Sequence, residues 1–226
     1  MFDAHAHLTA PPDEGALIDG WIVPGVDAVT DARAPRTEKV WRAVGLHPWY
    51  LDGDLEEKLR GLRMRAEEPG LVAIGETGLD AMRRAGPRAR QEIAFAAQIE
   101  LAKELGLPLI LHVVRRHGSC IDALAQAAFP RDLGGMVHDF GGPAEMIEGW
   151  VEAGFRLSIS PRSMGRVHRE PMVAAIPDHA LLVETDDFGT ERLEEVVCWV
   201  ARARGMTTKA VAELTERNAR ELFGLE

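Results

Sequence analysis

The run RARQEIAFAAQIELAKELGLPLILHVV, residues 88–114, decides the fold class because its periodicity changes partway along. From Arg88 to Leu105, the residues Ile93, Ala97, Leu101 and Leu105 recur at four-residue intervals, the spacing of one helical face. Gly106 and then Pro108 stop that helix. The next six residues, 108–113, are apolar except for His112 and read as a short strand. A long amphipathic helix feeding such a strand is part of a βα repeat, and the pattern extends in both directions. Strand-like runs fall at residues 2–8, 20–23, 42–46, 71–75, 108–113, 134–137, 155–160 and 181–185. Further helical patterns cover 55–67, 191–204 and 208–222, with Gly205 separating the last two. Strands alternating with helices give a parallel sheet, and eight of them give an α/β chain folded as a compact (β/α)8 TIM barrel. One domain is expected over residues 1–226. Residues 9–19, broken by Pro11, Pro12 and Gly15, are expected to leave the first helix weak or missing.

Composition narrows the function. Hydrophobic residues at 46% and charged residues at 27% exclude a disordered or low-complexity chain. No apolar run approaches bilayer length, and Asp3, His5 and His7 stand where a secretory leader would be basic and apolar, so a cytoplasmic protein with no membrane contact is expected. Cys120 and Cys198 form neither a disulfide framework nor a thiolate metal motif and read as packing residues. The formal charge of −10 argues against a protein that coats polyanions, so any nucleic-acid activity must be local. A monomer is expected.

The histidines are unevenly placed. His5, His7, His47, His112 and His138 fall at or near the C-terminal ends of expected strands, where a barrel gathers its catalytic side chains, whereas His117, His168 and His179 fall in connections. In Asp3-Ala4-His5-Ala6-His7 the two imidazoles lie two residues apart, on one face of a strand, and can bind one ion. In Gly75-Glu76-Thr77-Gly78-Leu79-Asp80 a carboxylate follows an apolar strand directly, and a buried carboxylate needs a cation or hydrogen bonds. Glu76 is therefore expected to bridge two metal ions, with His112 and His138 completing the second site. In Glu184-Thr185-Asp186-Asp187, at the end of the eighth strand, Asp186 can reach the ion held by His5 and His7. Glu184, two residues earlier on the inward face, is expected to hydrogen-bond to a ligand and not to the metal.

Taken together, these segments resemble the TatD family of metal-dependent hydrolases, within the amidohydrolase-like superfamily. The resemblance rests on DAHAHL at 3–8, GLHP at 45–48, AIGETGLD at 73–80, residues 90–112, VHDFGG at 137–142, LLVETDD at 181–187 and TERNARELFG at 215–224. It implies a divalent-metal deoxyribonuclease that often trims DNA from an end, and some members are reported to cleave aminoacyl-tRNA esters. It also implies that His5, His7, Glu76 and Asp186 hold one metal and Glu76, His112 and His138 the other, with His47 contacting a substrate phosphate. The chain departs from the family pattern in four places. Ala81 follows Asp80 where an aromatic residue is usual, Val114 stands where an arginine is frequent, and Asp139 replaces a common cysteine. After Asp186 a long loop rich in proline and arginine gives way to an almost immediate helix. The metal ligands are all present, while the loops that face substrate differ.

Two divalent ions about 3.5 to 4 Å apart generate hydroxide at neutral pH, polarise a phosphoryl oxygen and stabilise the leaving oxygen. Asp186 and Glu76 are the expected catalytic carboxylates, Asp186 as proton acceptor. The ligand types admit zinc, manganese or magnesium. Arg162, Arg166 and Arg169, after the seventh strand, are expected to overhang the mouth and grip phosphate of DNA or a short oligonucleotide. Two other readings use the same residues: a metal-dependent esterase or amidohydrolase such as a D-aminoacyl-tRNA deacylase, and a non-catalytic metal-binding scaffold.

Overall fold

A computed structural model describes residues 1–8, 18–25, 35, 37–82 and 86–225. Eight parallel strands, β1 (Phe2–Asp3), β2 (Gly20–Pro24), β3 (Val40–Val44), β4 (Leu71–Asp80), β5 (Leu109–Val114), β6 (Gly135–Val137), β7 (Phe155–Ile159) and β8 (Leu181–Val183), pair in sequential order. The barrel closes between its first and last strands through Ala4 N donating to Val183 O at 3.1 Å, Asp186 N to His5 O at 2.9 Å and His7 N to Asp186 O at 3.1 Å. The helices are α1 (Leu55–Ala66), α2 (Arg88–Leu105), α3 (His117–Gln126), α4 (Met146–Glu152), α5 (Arg169–Ala175), α6 (Leu193–Arg204) and α7 (Thr208–Phe223). The (β/α)8 barrel is thus observed. The broken first helix expected over 9–19 lies mostly outside the described residues. Among the described residues no helix is long and apolar enough to cross a membrane.

Strand alternation sorts the core into two layers. Leu109, Leu111 and Val113 of β5 pack with the helices, while Ile110 joins Phe2, Ile22, Ala73, Met136 and Leu182 in a second cluster. That second set is the barrel interior, because residues two apart on a strand share a face. Continuing the inner rows by two residues leads from Ile110 to His112, from Met136 to His138 and from Leu182 to Glu184, so the same alternation that builds the core delivers these side chains to the mouth. The opposite end is plugged by α7. Its Ala219 and Phe223 belong to the inner cluster, and Asn218 Nδ2 donates to Leu181 O at 2.9 Å, which gives the C-terminal motif a structural role.

The structure departs from the sequence pattern in two places. The first strand is regular only at Phe2–Asp3 instead of over 2–8; beyond it the backbone keeps isolated bonds to its neighbours, and the Asp3 carboxylate adds a side-chain link by accepting from Thr185 N at 3.0 Å and Thr185 Oγ1 at 2.6 Å. On α2 the stripe Ile93, Ala97, Leu101 and Leu105 is not the buried face. Ile93 is 57% and Leu105 41% exposed, and the helix buries Gln91, Ala94, Phe95, Gln98, Ile99, Leu101 and Ala102. Two glutamines on that face exchange hydrogen bonds with the strand ends, and the buried face shares only Leu101 with the apolar stripe. The helix boundaries stand as read, with Gly106 left-handed (φ 66°) and its N–H on Ala102 O and Lys103 O.

Candidate metal centre

Glu76 lies at the centre of the mouth, 2% exposed. Its neighbour Gly78 has φ +136° and sits so close to β5 that a Cβ would collide with the carbonyl oxygen of His112, so glycine is required there for the two strands to approach. The buried glutamines of α2 fix the segment on both sides. Gln98 accepts from Leu46 N at 2.8 Å and donates to Thr77 Oγ1 at 2.6 Å; Gln91 accepts from Asp80 N at 2.8 Å and donates to Asp80 O at 3.1 Å. One helix therefore holds the neighbours of His47 and of Glu76.

The two oxygens of Glu76 face different imidazoles. Oε1 is 2.8 Å from His138 Nε2, 3.0 Å from His112 Nδ1 and 3.2 Å from His47 Nε2. Oε2 is 3.6 Å from His5 Nε2 and 3.7 Å from His7 Nε2. Asp186 Oδ1 approaches the same pair, at 3.5 Å from His7 Nε2 and 3.9 Å from His5 Nε2. The bend after Asp3, and not a continuous strand face, brings His5 and His7 together, their Nε2 atoms 3.3 Å apart. Asp186 is itself left-handed (φ 55°) and is pinned by its backbone bonds to His5 and His7.

Among the described residues, three triads have ligand atoms close enough to share an ion: His5, Glu76 and His138; His5, His7 and Asp186; and His47, Glu76 and His112. The donor set suits divalent cations, because imidazole nitrogens and carboxylate oxygens converge in a buried place where uncompensated negative charge is costly. Burial opposes the charge of Glu76, yet the imidazoles, His138 and His47 foremost, hold its carboxyl well below the usual range. Burial likewise opposes a charged His138, but Glu76 and then Glu184 outweigh it and raise the imidazole well above its ordinary value. Burial, reinforced by the neighbouring His138, pushes His5 down.

Around this centre stand Glu184, for which a hydrogen bond to a ligand is the expectation, and two carboxylates to which sequence reasoning gave no role, Asp139 and Asp80. Glu184 accepts from Asp139 N at 2.7 Å and from Ser158 Oγ, and its Oε1 is 3.5 Å from His138 Nδ1; burial lifts its carboxyl to about 7. The Asp139 carboxylate accepts from Ser160 Oγ at 2.6 Å and from Arg162 Nε at 2.8 Å. Asp80 contacts His112 Nε2 at 3.0 Å and accepts from the Trp49 indole at 2.6 Å. The two buried glutamines were the available signal for this polar layer, seven residues apart on one helix face.

Of the three arginines expected at the mouth, Arg162 reaches it. Its Nη2 is 3.0 Å from Asp186 Oδ2 and 3.4 Å from Asp187 Oδ1, and its guanidinium lies 5.0 Å from the Phe188 ring centroid. Arg166 is exposed, and Arg169 donates to Gly142 O at 3.2 Å; no ion pair joins either to the central cluster among the described residues. His117 lies apart, accepting from the Trp150 indole at 3.1 Å. Arg83 and Arg84 lie outside the described residues. After Asp186 the chain enters a 3-10 turn at Thr190–Arg192 and then α6, the short connection expected.

The model of a protein family described as TatD related DNase matches residues 2–224. The chain is 31% identical to the 3'-5' ssDNA/RNA exonuclease TatD of Pantoea vagans, over 93% of this chain and 90% of that one. It is 30% identical to the uncharacterized metal-dependent hydrolase YabD of Bacillus subtilis, over 99% and 98%. Among solved structures, the TatD homologue YjjV of Escherichia coli superposes with a TM-score of 0.87 at 26% identity, covering all of this chain and 98% of that one.

Proposed function

The chain belongs to the TatD family of metal-dependent hydrolases, and from that premise we propose that it cleaves phosphodiester bonds of short or single-stranded DNA ends with two divalent ions held at Glu76. The observation that carries this reading is the division of the Glu76 oxygens, one facing His112 and His138 and the other facing His5 and His7. In it, His5, His7, Glu76 and Asp186 hold one ion, and Glu76, His112 and His138 hold the other. Zinc, manganese and magnesium all suit such ligands. When bound, the ions supply an acidified water and Lewis-acid stabilisation of phosphoryl charge.

The remaining work falls to the protein. Asp186, at the open edge of the cluster, accepts the proton from the attacking water. His47 does not ligate. Its Nδ1 accepts from Trp49 N at 3.0 Å, so a neutral ring carries its proton on Nε2, and a protonated nitrogen donates to a phosphate oxygen instead of binding a cation. Arg162, braced by Asp139, offers a guanidinium to the substrate's phosphate, with Arg166 and Arg169 further out on the same segment. The name of the Pantoea relative, an ssDNA/RNA exonuclease, supports a nucleic-acid substrate.

The test uses metal-depleted protein reconstituted with zinc, manganese or magnesium, assayed on end-labelled oligonucleotides, a chromogenic phosphodiester and a carboxylic ester. Metal-dependent cleavage of the oligonucleotides above the ester supports the reading. Preference for the ester, or undiminished cleavage after chelation, contradicts it.

A further inference from the structure

We infer that Asp80, clamped by the Trp49 indole, is a positioning residue that orients His112 with its Nδ1 lone pair toward Glu76, and that Trp49 couples this orientation to that of His47. The inference rests on the metal-centre reading above and assigns a task to two residues outside the ligand set.

The Asp80 carboxylate is 4% exposed and meets three nitrogens. Oδ2 is 3.0 Å from His112 Nε2 and accepts from Trp49 Nε1 at 2.6 Å, while Oδ1 accepts from Met82 N at 2.6 Å. A carboxylate beside Nε2 places a proton on that nitrogen and leaves the Nδ1 lone pair free. His112 Nδ1 is the atom 3.0 Å from Glu76 Oε1 and 3.0 Å from His138 Nε2. Carboxylate, imidazole and ligand position are thus in line, the arrangement by which outer partners fix the tautomer and ring angle of metal-binding histidines.

Trp49 acts on both sides. Its indole holds Asp80, and its backbone N–H holds His47 Nδ1 at 3.0 Å. The two neighbouring imidazoles, with ring centroids 4.3 Å apart, therefore present opposite characters to Glu76: a lone pair from His112 and a proton from His47. Gln91 makes the clamp rigid by bonding the Asp80 backbone at both N and O. An amide at position 80 cannot reproduce this, because its single oxygen satisfies either the Trp49 and His112 side or Met82 N, and its amino group confronts a donor on the other.

The test is zinc titration of the metal-depleted protein by calorimetry, with imidazole 1H–15N spectra of the same samples, for wild type, Asp80→Asn, Trp49→Phe and His112→Ala. Asp80→Asn should weaken zinc binding at one of the two sites by about 10- to 100-fold and remove the slowly exchanging Nε2 proton of His112. Trp49→Phe keeps an aromatic ring and the Asp80 carboxylate but loses the indole N–H, and should give a smaller loss in the same site; it carries the test if Asp80→Asn does not fold. Wild-type affinity in both variants, with His112→Ala weakened, refutes the positioning role and leaves the metal reading standing. Wild-type affinity in His112→Ala as well overturns both.

Discussion

His138 Nε2 stands 2.8 Å from Glu76 Oε1, while the opposite face of its ring lies stacked on His5, with centroids 4.3 Å apart and planes 9° from parallel. The imidazole thus touches both halves of the cluster, one by charge and one by packing. Replacing His138 or His112 with alanine should lower hydrolysis by at least about 100-fold, the usual scale for losing a group that orders the reacting centre. Steady-state rates on an oligonucleotide at saturating metal check this, and a wild-type rate in either variant would remove the replaced residue from the site.

On the proposed reading, His47 serves substrate binding and not metal binding. His47→Ala should keep the wild-type metal content, measured by atomic emission after gel filtration, while cleavage falls through a weaker grip on phosphate. Loss of one ion would place His47 among the ligands, in the triad it is close enough to form with Glu76 and His112.

On the proposed nuclease reading, charge sets the form of substrate. A duplex-tracking protein neutralises many phosphates, and each steepens the fall of affinity with salt. This chain carries a net −10 and lacks a long wall after Asp186, so its contacts suit a few phosphates brought down into a concave mouth. Cleavage of end-labelled oligonucleotides should far exceed nicking of a closed circular duplex across a salt series. Efficient nicking, or a salt slope implying about eight neutralised phosphates, would sink this prediction.

A pH effect on stability is expected away from the centre. Burial, reinforced by Arg169, holds His117 neutral down to about 4, against an ordinary 6.5. Between those values the unfolded chain binds a proton that the folded chain refuses, so this contribution is whole above 6.5 and is lost as pH falls toward 4. His117→Phe leaves the Trp150 indole without its acceptor and should cost about 1–3 kcal/mol at pH 7.5. Its deficit relative to wild type should narrow on acidification, as followed by urea denaturation. A deficit independent of pH would show that His117 does not titrate in this way.

Much of this was legible in the chain itself. Alternation along Ile110–His112 and Leu182–Glu184 carries both the core and the site, so strands and inward carboxylates and imidazoles are read together. Lateral partners were not legible. Asp80 meets Trp49 only because β3 and β4 are neighbours, and Asp139 meets Arg162 across β6 and β7. The buried face of α2 is not marked by hydropathy for a related reason: the apolar stripe includes exposed Ile93 and Leu105, whereas Gln91 and Gln98 turn inward and bond backbone groups at the strand ends. Such polar demand is set by the fold and leaves little trace in hydropathy.

The central claim is that Glu76 joins two ions. The direct measurement is the metal content of wild type and Glu76→Ala after chelation, reconstitution with zinc or manganese and gel filtration. Wild type should retain two ions per chain, and Glu76→Ala should lose more than His112→Ala, since the two oxygens of Glu76 face the two halves of the cluster. A Glu76→Ala protein that keeps the wild-type complement of metal would contradict the account.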